Sequence, residues 1–197
     1  MRTARKSRGF TLAELLFAVA LFSIMMLTLA AIQAAAFRDR SRLARDNMIG
    51  NGATLIRSTV ENSLVSATLL ASPSEGAASQ DLVAWTNVDP ADGSAIVPSL
   101  PREFTRICLE PSGARLYGYR GRYPMPASPP CGADAPGMER WLVAGGAPLQ
   151  LAVRFYRPPQ ESNILLVEYG LTLPQSGSSP ERSLSGSLVV NLRHAKL

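Results

Sequence analysis

Apolar and polar positions divide the chain into three textures. From Phe10 to Ala36 the sequence is apolar almost throughout: Glu14 is the single formal charge in 27 residues, and Thr11, Ser23, Thr28 and Gln33 are the other polar groups. As a helix this run is roughly 40 Å long at about 1.5 Å per residue, more than the ~30 Å hydrocarbon core of a bilayer, which predicts one membrane span. Beyond Ala36 charges enter, and Leu43, Met48, Leu55, Ile56, Val60, Leu64 and Val65 recur with the spacing of an amphipathic helix. This predicts that the helix continues to near Leu70. Gly50 and Gly52 each cost about 1 kcal/mol relative to Ala in a helix, so a kink or break is expected there.

Residues 71–101 are rich in Ala, Ser, Gly, Pro and Asp around one apolar piece, Leu82-Val-Ala-Trp85, and read as a connecting region with a single strand. From Arg102 the period becomes two. The segments 104–110 and 114–120 flank Pro111-Ser112-Gly113 and predict a hairpin. A proline-rich loop over 123–137 follows, then strands near 141–144, 149–157, 164–173 and 183–193. The predicted organisation is therefore 1–9 leader, 10–36 membrane helix, 37–70 amphipathic continuation, 71–101 connecting region and 102–197 β-domain. The fold class is α+β, a long N-terminal helix packed on one C-terminal antiparallel sheet.

Charge sharpens the topology. The leader contains Arg2, Arg5, Lys6 and Arg8 and no acid, which holds residues 1–9 in the cytoplasm and sends the rest outward. Without it the formal net charge of +5 falls to +1, with 16 basic and 15 acidic residues remaining, so the basic balance belongs mainly to topology. Arg102, Arg106, Arg115, Arg120 and Arg122 still crowd one region, interleaved with Tyr117, Tyr119 and Tyr123. A solvated strand face and aromatic packing explain this pattern more simply than a track for DNA, a partner that nothing else in the sequence supports.

The N-terminus does not fit an ordinary secretory signal, whose apolar region is about 7–15 residues long. Instead Gly9-Phe10-Thr11-Leu12-Ala13-Glu14-Leu15-Leu16, preceded by a short basic leader and followed by an apolar helix, resembles the processing and N-methylation motif of type IV prepilins and of type II secretion pseudopilins. The resemblance covers about 30 residues; the rest of the chain matches only in architecture. It implies cleavage between Gly9 and Phe10 by a prepilin peptidase, and methylation of the new Phe10 amine by the same enzyme. It also implies that Glu14 pairs with the amine of a neighbouring subunit as helices bundle, which offsets the cost of a carboxylate in lipid, on the order of 2.5–3.5 kcal/mol. The alternative for Glu14 is an interfacial charge stabilised by the helix dipole.

Two features place the chain within the resemblance. Glu14 is present, whereas the pseudopilin proposed to cap a filament tip typically lacks it, which argues against that role. Ala31 stands where many major pilins have proline, and together with a chain longer than many major subunits this leans toward a minor pilin or minor pseudopilin, with the J-type pseudopilin of a type II secretion system as one alternative. A membrane-tethered extracytoplasmic binding domain with no filament role is another. The implied partners are the prepilin peptidase, other pilin or pseudopilin subunits, an inner-membrane assembly platform and membrane lipid. The implied location is the inner membrane with a periplasmic C-terminal domain, then the pilus or pseudopilus.

Candidate chemistry changes little. Cys108 and Cys131 are the two cysteines, and an even count in an oxidising compartment suggests a bridge, with free thiols as the alternative. The single histidine, His194, cannot build a multi-His metal site. No nucleophile elbow, zincin motif, Walker loop or dinucleotide fingerprint occurs, and Asp89, Asp92, Asp134 and Glu139 read as turn formers and solubilising charge. The expectation is a structural subunit, not an enzyme, without cofactor or metal.

Overall fold

The structure, a computed structural model, describes residues 11–125, 128–159, 164–177 and 180–191. Among these residues one helix, α1 (Leu12–Val65), precedes nine strands: β1 (Leu69–Ser72), β2 (Ala78–Ser79), β3 (Asp81–Thr86), β4 (Glu103–Leu109), β5 (Arg115–Arg122), β6 (Met138–Gly145), β7 (Gln150–Tyr156), β8 (Ile164–Leu173) and β9 (Arg182–Asn191). The chain forms two compact units, Met1–Ala44 and Arg45–Leu197. The fold is α+β with a pilin-like layout, in which the long N-terminal helix packs on antiparallel strands through its later turns.

The strands make two sheets where the sequence predicts one. β1-β3-β4-β5-β6 form a five-stranded sheet and β2-β7-β8-β9 a four-stranded one, with every pairing antiparallel. Periodicity assigns residues to strands, but which strands share a ladder depends on hydrogen bonds between distant segments. The 71–101 region likewise holds more than one strand: β2, β3 and the end of β1 lie in it.

The helix ends at Val65, short of Leu70, because the backbone that follows is taken by β3. Thr68 N–H donates to the Trp85 carbonyl at 2.8 Å, its hydroxyl oxygen accepts from Val88 N–H at 3.0 Å, and Leu69 and Leu70 pair with Trp85 and Ala84. Helix and strand propensities of Leu do not settle such a contest; the available partner does.

Within the Arg45–Leu197 unit, α1 buries Ile49, Gly52, Ala53, Ile56, Val60 and Leu64, a single stripe at helical spacing. This stripe meets Leu82, Ile107 and Leu116 of one sheet and Leu151, Phe155, Leu165 and Leu171 of the other in one shared core. The helix runs through Gly50 and Gly52 without a break. A Cβ on Gly52 would stand 2.6 Å from Leu171 Cδ2, so this glycine lets the helix backbone lie close to β8, and packing outweighs its poor helix propensity. The Arg45 guanidinium donates to the Pro174 carbonyl at 2.7 Å, and Arg182 pairs with Asp46 at 3.8 Å.

Three glycines face aromatic rings directly across a ladder: Gly118 opposite Trp141, Gly121 opposite Phe104 and Gly186 opposite Tyr169. In each case the ring occupies the space a Cβ would take. Gly118→Val is therefore expected to destabilise the fold by about 1–3 kcal/mol, the usual cost of overpacking, read as a lower denaturant midpoint at unchanged slope.

The outer face of the five-stranded sheet is covered by the proline-rich loop after β5. Phe104, Arg106 and Cys108 of β4 and Tyr117 and Tyr119 of β5 point to this side. Tyr119, fully buried, donates its hydroxyl to the Ala133 carbonyl at 3.0 Å and accepts from Gly132 N–H at 2.8 Å. Arg106, only 5 % exposed, forms a bidentate pair with Asp81 at 2.9 and 2.7 Å and donates to the Pro129 carbonyl at 2.6 Å. Cys108 and Cys131 are joined by a disulfide with Cα atoms 5.9 Å apart, tying the same loop to β4.

Asp89 and Asp92 shape the loop between β3 and β4. The Asp89 carboxylate accepts from Ala91 N–H at 2.9 Å and that of Asp92 from Ser94 N–H at 2.8 Å. The Ser94 backbone and then its hydroxyl hold the Asp92 carboxyl below its ordinary value. A depressed folded-state value means that the turn gains in full above about pH 4, the unfolded carboxylate value, and loses the gain as pH falls through the lower folded one. A carbon-13 titration of Asp92 is expected to show that lower midpoint, and Ser94→Ala to move it back toward the unfolded value.

Candidate functional site: the start of the helix

The first helical turn is built by a T-x-x-E pattern. Thr11 lies just before Leu12, and Glu14 is the third helical residue. Glu14 N–H donates to Thr11 Oγ1 at 3.3 Å, while Glu14 Oε2 accepts from Thr11 N–H at 2.9 Å and from the Thr11 hydroxyl at 3.0 Å. The first intrahelical bond, from Leu15 N–H to the Thr11 carbonyl, is 3.2 Å. This is a reciprocal capping box, which satisfies two of the backbone donors that a helix start leaves open and is worth about 1 kcal/mol. The prepilin-type motif points to Glu14 alone, whereas the role of Thr11 has its own signal in the sequence: a Thr three residues before a Glu at the head of an apolar run marks a helix start.

Downstream, nothing covers the helix within its own unit. Every residue from Thr11 to Ala44 is exposed, including Leu12 at 79 % and Phe17 at 68 %. A stripe would predict one buried side; here apolar side chains surround the axis, and the segment is long and apolar enough to cross a membrane. Glu14 is the one acid among them before Asp39. Gly9 and Phe10, the residues on which cleavage and methylation would fall, lie outside the described residues, as does His194.

The other singled-out residues have structural occupations. Arg102 donates to the Gly93 carbonyl at 2.5 Å and stacks 4.9 Å from the Tyr123 ring centroid, and Arg106 is engaged by Asp81 and Pro129. Arg115 lies on one face of β5, with Arg120 and Arg122 on the other, so the five arginines do not converge on one surface. Asp134 pairs with Arg140 at 3.0 Å. No group of three or more His, Cys, Asp or Glu side chains placed to hold a metal ion occurs among the described residues.

No curated protein and no solved structure matches the chain. Residues 4–30 match the family model of the prokaryotic N-terminal methylation motif, a span that contains most of the basic leader, the Gly9-Phe10 bond, the capping box and most of the apolar run. The N-terminal segment of this protein thus carries the prepilin-type signature of type IV pilins and pseudopilins.

Proposed function

We propose that the chain is a minor structural subunit of a type IV pilus or a type II secretion pseudopilus, made as an inner-membrane precursor. The observation that carries this reading is the methylation motif over residues 4–30, leading into a capped apolar helix that is exposed through Ala44. Prepilin peptidase cuts between Gly9 and Phe10 and methylates the new amine. A glycine before the bond suits this, since it lets the backbone approach a catalytic site closely. The mature chain then moves from membrane to filament by exchanging lipid around its helix for the helices of neighbouring subunits.

Glu14 makes that exchange selective. In lipid the carboxylate is held by its own Thr11. In a bundle it pairs with the Phe10 amine of a neighbour, so two charges that are costly apart become tolerable together. The β-domain lies on the periplasmic side, which fits both the basic leader and a disulfide, a bond that persists in oxidising compartments. A role for this chain is structural; ATP hydrolysis and the platform on which subunits are added belong to partners.

Intact mass of the protein purified from its native membrane tests the reading. A chain lacking residues 1–9 and carrying one added methyl on Phe10 is the expected result. A full-length, unmethylated chain would leave a tethered extracytoplasmic domain as the better account. Affinity isolation of the assembled filament then separates pilus from pseudopilus by the other subunits it contains.

A further inference from the structure

We propose that Arg38, Arg40 and Arg42 form a collar around α1 that binds the phosphates of lipid headgroups in the outer leaflet of the membrane. The inference rests on the membrane-span reading of the helix and adds a defined ligand at its far end. Of the fourteen arginines in the described residues, seven, Arg45, Arg57, Arg102, Arg106, Arg140, Arg154 and Arg182, each reach a carbonyl or a carboxylate. The guanidiniums of Arg38, Arg40 and Arg42 enter no hydrogen bond or ion pair, although Asp39 lies between them. Arg120 and Arg122 are also without such a partner, but they stand opposite Glu139 and Glu103 on neighbouring strands. Within its own unit the collar has one acid nearby, Asp39, a turn before Arg42, and it forms no ion pair with any of the three arginines.

Its position along the helix selects the ligand. At about 1.5 Å per residue, Arg38 to Arg42 lie roughly 36–42 Å from Glu14, or about 34–39 Å along the bilayer normal at the usual ~20° tilt. With Glu14 at the inner edge of a ~30 Å hydrocarbon core and about 5–7 Å of headgroups beyond the opposite edge, Arg38 and Arg40 fall in the outer headgroup layer, and Arg42 lies a few ångströms past it, within reach of its long side chain, which leans back toward the helix N-terminus. Their placement around the axis excludes a one-sided partner. Arg38 and Arg42 are four residues apart and share a side, while Arg40 points nearly the opposite way, as 100° per residue requires. A protein docking on one face would meet only part of this set, whereas lipid surrounds a lone helix on all sides. The guanidinium fork matches a phosphate with two parallel hydrogen bonds, and its aliphatic stem tolerates the apolar edge of the bilayer.

The test uses the full-length chain labelled with carbon-13 and nitrogen-15 at arginine, in bilayers containing phosphatidylglycerol, with phosphorus-31 dephasing of the guanidinium Cζ signals as the readout. Expected is an excess of dephased signal over the Arg38→Gln/Arg40→Gln/Arg42→Gln variant, in which only the leader arginines Arg2, Arg5 and Arg8 still meet lipid, with the buried Arg106 signal undephased in both. In maltoside micelles with inorganic phosphate the same chain is expected to show no such excess. An equal excess with free phosphate in micelles would overturn the lipid source, and no excess in the bilayer would overturn phosphate binding by the collar. Hydrogen exchange of the 15–33 amides in the same bilayers reports the span itself: protection there with no excess sinks the collar alone, and rapid exchange sinks the membrane-span reading together with it.

Discussion

Glu14→Gln is expected to lower incorporation of the mature chain into filaments by about tenfold to a hundredfold, with cleavage and membrane insertion unchanged. The magnitude follows from the cost of leaving the neighbour's Phe10 amine without a counter-charge in an apolar bundle. A charge of this kind costs on the order of 2.5–3.5 kcal/mol in lipid, part of which relaxation recovers, and each 1.4 kcal/mol is a factor of ten. Glutamine is the informative substitution because it also serves in a capping box, so the helix start bonded through Thr11 survives while the charge is removed. Thr11→Val does the reverse. It removes the hydroxyl that accepts from Glu14 N–H and keeps the carboxylate, costing about 1 kcal/mol at the helix end with much smaller loss of incorporation. Filament recovery by shear or affinity isolation, scored against total membrane protein, checks both. Equal losses in the two variants would show that Glu14 acts through the cap, not through its charge.

The second large effect concerns the loop over the outer face of the five-stranded sheet. Cys131→Ser is expected to destabilise the β-domain by about 3 kcal/mol, the chain-entropy value for a loop closed across a sequence separation of 23. For a unit of about 150 residues that corresponds to a fall in melting temperature of roughly 6–12 °C. The loss should be accompanied by exposure of Tyr119, whose hydroxyl bonds to Gly132 and Ala133 run to the residues just after Cys131. Near-ultraviolet circular dichroism of the full-length protein in detergent, with and without reductant, measures both. Unchanged melting on reduction would mean that the Arg106 bonds to Asp81 and Pro129 hold the loop without the covalent tie.

Functional residues were most legible where a local pattern is sufficient. A membrane helix is recognised by length and polarity alone, and the segment around Glu14 by a contiguous run of residue types, because neither depends on what the rest of the chain does. Thr11 shows the limit of attending to one residue: the signal was present three positions upstream, and only the reciprocal bonds made its role plain. The tyrosine and arginine alternation after Arg102 was ambiguous in sequence, since nucleic-acid binding and cross-strand packing ask for the same residues. Burial of Tyr119 and the pairing of Arg106 with Asp81 resolve those two positions toward packing.

By itself the sequence determined the apolar N-terminal helix, the amphipathic turns after it, the β-rich remainder and the prepilin-type motif, all of which rest on periodicity or on residues adjacent in the chain. The tertiary structure decided the division into two sheets, the end of the helix at Val65 and the place of Gly52 against Leu171. Each of these is a contest between partners distant in sequence, settled by which hydrogen bonds and close contacts can form together. A glycine in a helix looks like a defect until the strand it must approach is known.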